Sequence, residues 1–216
     1  MLNAGVLTFR EFAMHEPLPL ATVHQAVLEF LQGRDDAVMI GAHAVNAYVA
    51  EPRMTQDIDL LSDRSSALAE ELRESLSQRF HIAVRVRQVP GDKGHRLYQV
   101  RKAGNRHLVD IRPVETLPAA QRIEGVLVIE PAALIAHKVI AYHQRRGQPK
   151  SGTDWRDIAM LLLEFPHFKC PRGPVLDALQ AAGADHATLG TWQELVAQNF
   201  LPEEDGAASL GQEGDQ

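Results

Sequence analysis

Gly41-Ala42-His43-Ala44-Val45-Asn46-Ala47-Tyr48-Val49-Ala50-Glu51-Pro52-Arg53-Met54-Thr55-Gln56-Asp57-Ile58-Asp59-Leu60 is the stretch around which the rest of the 216-residue chain arranges itself. An apolar run, Ala37-Val38-Met39-Ile40, leads straight into Gly41; a helix-like piece follows and Pro52-Arg53 breaks it. Ile58, Leu60 and Leu61 then mark a strand. Successive strand side chains alternate faces, so Asp57 and Asp59 point the same way. Two carboxylates side by side repel, and neither is easily buried alone. A cation between them removes the conflict, and closely set hard oxygens suit Mg2+ or Mn2+. At the other end, a strand turning sharply into a helix at Gly41 presents backbone N–H groups at a helix N-terminus, a ready phosphate site. Phosphate cradle and acid pair together are the equipment of phosphoryl or nucleotidyl transfer. Singly they mean less: Gly41 alone reads as a plain turn, and Asp-Ile-Asp alone reads equally well as a solvated edge strand.

Upstream, the apolar residues Val23, Val27, Leu28, Phe30 and Leu31 fall at helical spacing over Ala21–Leu31, with Thr22 as expected N-cap and Gly33 as stop. Residues 1–20, with Pro17 and Pro19, read as a surface arm holding at most a turn of helix near Thr8–Ala13. Downstream, Leu68, Leu72 and Leu76 stripe a helix over Ser65–Gln78, capped by Ser65 or Ser66. His81–Val89 alternates Ile82, Val84 and Val86 with Arg85 and Arg87, a half-exposed strand with a basic outer face. After the Pro90-Gly91-Asp92 turn, strands are expected at Leu97–Arg101 and His107–Arg112, joined by Ala103-Gly104-Asn105. Asp110 lies inside the apolar run Leu108-Val109-Asp110-Ile111, where an unpaired acid is costly. A metal shared with Asp57 and Asp59 would account for it; so would a salt bridge to Arg112. Val126–Ile129 reads as a short strand or extended link. Pro131 opens a helix carrying Leu134, Ile135, Lys138, Val139 and Tyr142. Lys138 among apolar neighbours either snorkels past the core or aims at a triphosphate. Gly147-Gln148-Pro149 breaks that helix, and the next is expected to start at an N-cap Thr153 or Asp154. Two shorter helices, Val175–Ala182 and Thr191–Asn199, close a helical lobe.

Net charge is −6 and unevenly spread. Arg79, Arg85, Arg87, Lys93, Arg96, Arg101, Lys102, Arg106 and Arg112 face only Asp92 and Asp110 within residues 79–112. Residues 203–216 carry Glu203, Glu204, Asp205, Glu213 and Asp215 with no base, and read as a disordered acidic tail. A basic middle suits a polyanion, although most such charges are simply solvated. Cys170 is the only cysteine, which excludes an intrachain disulfide and suits a reducing cytoplasm. His167-x-x-Cys170 has no second pair and reads as chance. Neither a basic-then-apolar leader nor an apolar run of membrane length is present in this sequence.

Gly41 followed by Asp57-Ile58-Asp59 resembles the signature of the nucleotidyltransferase superfamily, the polymerase-beta-like fold: strand, Gly-Gly or Gly-Ser, short helix, Asp-x-Asp on the next strand. Arg53-Met54-Thr55-Gln56-Asp57-Ile58-Asp59 resembles the Arg-x-Thr-x-Asp-hydrophobic-Asp run of its small bacterial members. Lys138, then Arg145-Arg146, Lys150 and Asp154-x-x-Asp157 resemble the C-terminal motifs of the AbiE-type nucleotidyltransferase toxins. The resemblance implies an α/β (α+β) fold: a mixed, mostly antiparallel sheet with flanking helices over 21–129, then a helical lobe over 130–202. It implies that Asp57, Asp59 and Asp110 bind Mg2+ (or Mn2+) and act in catalysis, with Asp110 on a later antiparallel strand. On the nucleotide side it implies Gly41, Ala42, Arg53, Thr55, Lys138 and Asp154, and leaves Asp157 as a structural partner for Arg145 or Arg146. Ala42 departs from the pattern: a Ser there would offer the triphosphate a hydroxyl, and Ala does not. The implied reaction moves a nucleoside monophosphate from a nucleoside triphosphate to a hydroxyl of RNA or tRNA, a protein or a small molecule. The implied setting is the toxin half of a toxin–antitoxin pair with a cognate antitoxin. The competing reading is a non-catalytic nucleotide- or partner-binding module on the same fold; three retained, mutually repelling acids argue against it.

Overall fold

The computed structural model describes residues 18–102 and 104–201. The expected turn of helix near Thr8–Ala13, nearly all of the N-terminal arm and the acidic tail lie outside the described residues. Within them the chain builds seven α-helices around one mixed seven-stranded sheet. The strands are β1 (Val38–Ile40), β2 (Ile58–Ser62), β3 (Val84–Val89), β4 (Gly94–Gln99), β5 (Arg106–Pro113), β6 (Ala120–Ile123) and β7 (Val126–Ile129), in the order β3-β4-β5-β2-β1-β7-β6. β1 pairs antiparallel with β2, and β3-β4-β5 and β6-β7 are antiparallel ribbons. Two parallel pairings, β2 with β5 and β1 with β7, join these pieces. The strand of Asp110 is therefore antiparallel to β4 but parallel to the Asp-x-Asp strand itself.

From Ile58 to Leu60 and from Val109 to Ile111 apolar and acidic side chains alternate. Ile58, Leu60, Val109 and Ile111 are fully buried, and Leu97 of β4 joins them. Helix α3 (Ser65–Phe80) packs on β3, β4 and β5 with Leu68, Leu72 and Leu76 buried. Helix α1 (Leu20–Leu31) packs on α3, β5 and β7. Each fully buried side chain of this kind contributes roughly 1.5–3 kcal/mol, so this face anchors the sheet. The opposite face of the same strands carries Asp59, Asp110 and Arg96 in one row, opposed in register.

Helix α2 (Gly41–Tyr48) leaves β1 directly and packs on β1, β2 and β7. Against it lie α4 (Pro131–Gln144) and α5 (Pro149–Glu164), with α6 (Pro174–Ala181) and α7 (His186–Ala197) behind α4. Buried side chains from sheet and helices form one cluster that reaches Trp192. Among the described residues no helix is long and apolar enough to cross a membrane.

Several local expectations are corrected. α1 begins at Leu20 after Pro19, so Thr22 is inside it and no side chain caps it. α3 follows Arg64, again without the Ser65 or Ser66 cap. α5 begins at Pro149 with Gln148 at its N-cap, so Thr153 and Asp154 sit within the helix. Pro suits that first position because the N–H it lacks has no intrahelical partner there. β6 was not foreseen: Ala-Gln-Arg-Ile has no alternation, and it pairs as an edge strand with β7.

Candidate active site

Asp59 sits within β2, opposite Ile40 of β1 and Asp110 of β5. Asp57 lies one residue before β2, its carbonyl accepting a hydrogen bond from Thr55 Oγ1 at 3.3 Å. Gly41 closes the floor. Its φ is +71°, and a Cβ there would stand 2.2 Å from Asp59 Oδ2. The glycine is needed twice over, for the left-handed backbone and for the space the Asp59 carboxylate fills. Burial and the neighbouring charge of Asp57 push the Asp59 pKa up, with Asp110 adding and Arg112 opposing. The acids thus feel one another across the strands.

Each acid also has a basic side chain beside it. Asp57 Oδ2 is 3.1 Å from His107 Nδ1. Arg96 Nε donates to Asp110 Oδ1 at 3.2 Å, and Arg112 Nη2 to Asp59 Oδ1 at 3.4 Å. The alternative of an Asp110–Arg112 salt bridge is not formed; Asp110 pairs with Arg96 and Arg112 with Asp59. The His107 hydrogen bond holds the Asp57 carboxyl below its ordinary range; burial opposes it, and the charges of His107 and Lys150 add to it. For His107, burial pulls the imidazole pKa down, but the Asp57 bond and the charges of Asp57 and Asp110 outweigh it, and the net shift is upward.

Strand alternation from Asp110 would send His107 to the core face. It does not, because the β4–β5 register slips between Leu97 and Tyr98: Leu97 opposes Val109, and Tyr98 opposes His107. The extra residue, Leu108, is a bulge that flips everything before it. His107 thereby joins Asp110 on the cleft face and stacks on Tyr98, ring centroids 5.0 Å apart.

Across from the acids stands a cationic wall. Arg53, from the loop between α2 and β2, makes a two-pronged bond to Asp157 of α5, 2.6 Å through Nε and 2.8 Å through Nη2. Lys138 of α4 meets the same Asp157 at 2.7 Å and Asp154 at 3.8 Å. Asp157 side-chain exposure is 0%, so both cations are held by a wholly buried acid. Arg145 pairs with Asp154 at 2.7 Å, and Arg146 pairs with Glu194. Asp157 is accordingly the partner of Arg53 and Lys138, not of Arg145 or Arg146. Asn46 fixes the loop from below: its Nδ2 donates to the Arg53 carbonyl at 2.7 Å and its Oδ1 accepts from the Arg53 N–H at 3.0 Å.

One cleft of about 830 Å3 runs between the two walls. Gly41, Ala42, Arg53, Thr55, Asp57, Asp59, Asp110, Lys138 and Asp154 all line it. So do His107, Arg96, Arg112, His137 and Lys150, which the sequence reading did not single out as site residues. Burial lowers the His137 pKa, with Arg112 and Lys138 adding, so that imidazole is neutral near pH 7. The acid types and their common face suit a hard divalent cation, and the mutual repulsion at Asp59 is what such an ion would relieve. Among the described residues no three acid, His or Cys side chains are drawn tightly enough to enclose one ion; the three acids are turned to Arg96, His107 and Arg112.

The profile of the family described as "Nucleotidyl transferase AbiEii toxin, Type IV TA system" matches residues 25–212, nearly the whole chain. The chain belongs to the AbiEii nucleotidyltransferase family. Its fold is that of nucleotidyltransferases of known structure. The Megavirus polyadenylate synthase is similar with a TM-score of 0.58 at 14% identity, over 73% of this chain and 34% of that one. A putative nucleotidyltransferase from H. pylori has a TM-score of 0.53 at 15% identity, over 88% of this chain and 93% of that one. JHP933 from Helicobacter pylori has a TM-score of 0.51 at 14% identity, over 88% and 90%. This AbiEii-family chain spans about a third of the viral synthase and nearly the full length of the bacterial proteins. No curated protein matches it.

Proposed function

We propose that this protein transfers a nucleoside monophosphate from a nucleoside triphosphate to a hydroxyl acceptor. The observation that supports this best is the two-walled cleft, with Asp57, Asp59 and Asp110 on one side facing Arg53 and Lys138 on the loop and helix. In this reading the three aspartates hold one or two Mg2+ (or Mn2+) ions, which when bound neutralise the triphosphate and stabilise the attacking and leaving oxygens. Arg53 and Lys138 receive the triphosphate, and the turn at Gly41 and Ala42 lets its phosphates approach the backbone. Asp110, steadied by Arg96, takes the proton from the acceptor hydroxyl. The hydroxyl oxygen attacks the α-phosphorus in line, the bond to the bridging oxygen breaks, and pyrophosphate leaves.

RNA or tRNA is the favoured acceptor among hydroxyl-bearing classes. Arg87 opposes Arg96, and Arg96 opposes Asp110, so a cationic row runs outward from the acids across β4 and β3. Such a row suits a phosphodiester backbone. The family description further supports a role as the toxin of a toxin–antitoxin pair, restrained by a cognate antitoxin.

The test is incubation of pure protein with each of four α-labelled nucleoside triphosphates, Mg2+ or Mn2+, and total cellular RNA plus protein, beside an Asp57→Ala control. Label should move to a macromolecule with wild type only. Saturable triphosphate binding without transfer would replace this reading with a nucleotide sensor.

A further inference from the structure

We infer that His107 is a positioning residue for Asp57, fixing its carboxylate in the orientation in which it meets a divalent cation. The inference rests on the metal-dependent reading above and extends it to a residue that reading does not use.

The two acids of Asp-x-Asp are held very differently. Asp59 lies inside β2, between Ile40 and Asp110, with its carboxylate seated on Gly41. Asp57 precedes the strand, and no ladder pairing is formed at its position. Its carboxylate is oriented by His107 Nδ1 at 3.1 Å, closer than the 3.4 Å at which Arg112 reaches Asp59. Among the described residues one oxygen of the two is engaged, which leaves the carboxylate acceptor capacity for a cation. Carboxylates that bind metals are commonly held by such donors, and losing the donor weakens the metal.

The fold spends an irregularity to put His107 there. The bulge at Leu108 reverses the alternation of β5 and brings the ring onto the cleft face. Tyr98, opposite it in register, stacks against the ring at 30° between planes and sets its tilt. The same bulge buries Leu108 completely, so slipping back to regular register would expose Leu108 or swing His107 into the core.

The experiment is a Mn2+ titration of the full chain without nucleotide, read by the electron-spin signal of free Mn2+, with thermal midpoints taken in parallel. Wild type, Asp57→Asn, His107→Phe, His107→Gln and Tyr98→Leu are compared. Phe keeps the ring stack and removes the donor; Gln keeps a donor and removes the ring. Asp57→Asn is expected to lose binding. His107→Phe is expected to weaken it by about 10–100-fold, His107→Gln to recover most of that, and Tyr98→Leu to fall between. His107→Phe binding as tightly as wild type while Asp57→Asn does not bind would overturn the inference and leave the metal reading standing. His107→Gln as weak as His107→Phe would also overturn it, because the donor would then be irrelevant. A wild type that never saturates with Mn2+ would overturn the metal reading and the inference together. If His107→Phe does not fold, the His107→Gln and Tyr98→Leu results decide.

Discussion

A methyl group at position 41 has nowhere to go. It would meet Asp59 Oδ2 at 2.2 Å and Asp59 Cβ at 2.9 Å, on a backbone whose φ of +71° already disfavours an L side chain. Gly41→Ala should cost about 1–2 kcal/mol from the left-handed backbone alone, and displacing Asp59 adds to that. Denaturant unfolding measures the first effect and label transfer the second; a variant as stable and active as wild type would remove Gly41 from the site. Replacing both Asp57 and Asp59 by Ala is expected to abolish Mn2+ binding and transfer with the fold intact, because the bonds lost to His107 and Arg112 are set against the relief of a buried, mutually repelling acid at Asp59. Unchanged Mn2+ affinity in the double variant would refute the metal site. These residues were legible in the sequence because their relation is local: a glycine after an apolar run and two acids at strand spacing. His107 was not, because its side is set by a one-residue bulge that no alternation rule anticipates. The Asp157 partnership was not legible either, because Arg53 lies 104 residues away in sequence.

At the scale of elements, the start of α5 changes what its acids do. Because the helix begins at Pro149, Asp154 and Asp157 stand three apart inside it, on one face. Both meet Lys138, and Asp157 also takes the Arg53 fork. Asp157→Asn would leave two cations around a buried neutral amide. Breaking a buried pair of this kind costs about 3–5 kcal/mol, readable as a lowered unfolding midpoint in urea at pH 7. The pH dependence has a definite sign. Burial alone would raise the Asp157 pKa, but Arg53 and Lys138 outweigh it and hold it below the ordinary value. An acid with a depressed folded pKa adds stability above its unfolded value, about 3.9, and loses it as pH falls through the folded one. The gap between wild type and Asp157→Asn should therefore be largest near neutrality and shrink in acid. A gap independent of pH would mean that the charge of Asp157 is not what the helix needs. The helices themselves were well marked by their apolar stripes. Their first residues were not, since α1 and α5 begin after Pro19 and at Pro149 with no Ser, Thr or Asp cap to announce them.

Across the whole molecule, one side of the cleft carries Asp57, Asp59 and Asp110 with Arg96 and Arg112 beside them, the other carries Arg53 and Lys138 with Asp154 beside them, and in the proposed reading a nucleotide would lie between the two. A ligand bound only by the folded state raises stability by mass action, about 2.7 kcal/mol at a hundred times its dissociation constant. For a chain of this length each kcal/mol moves the melting midpoint by about 2–4 °C. With Mg2+ present, a nucleoside triphosphate should therefore raise the midpoint of wild type by several degrees, and more than the matching monophosphate does. The difference tests Lys138. Its ammonium is 2.7 Å from Asp157, so Lys138→Ala will lower the unliganded midpoint whatever its role. The informative quantity is the shift each nucleotide produces within the variant. If Lys138 reaches the outer phosphates, the triphosphate shift shrinks while the monophosphate shift is kept. If Lys138 serves only to hold Asp157 in place, the two shifts fall together, because the loss then passes through Arg53 and the shape of the cleft rather than through a contact with phosphate.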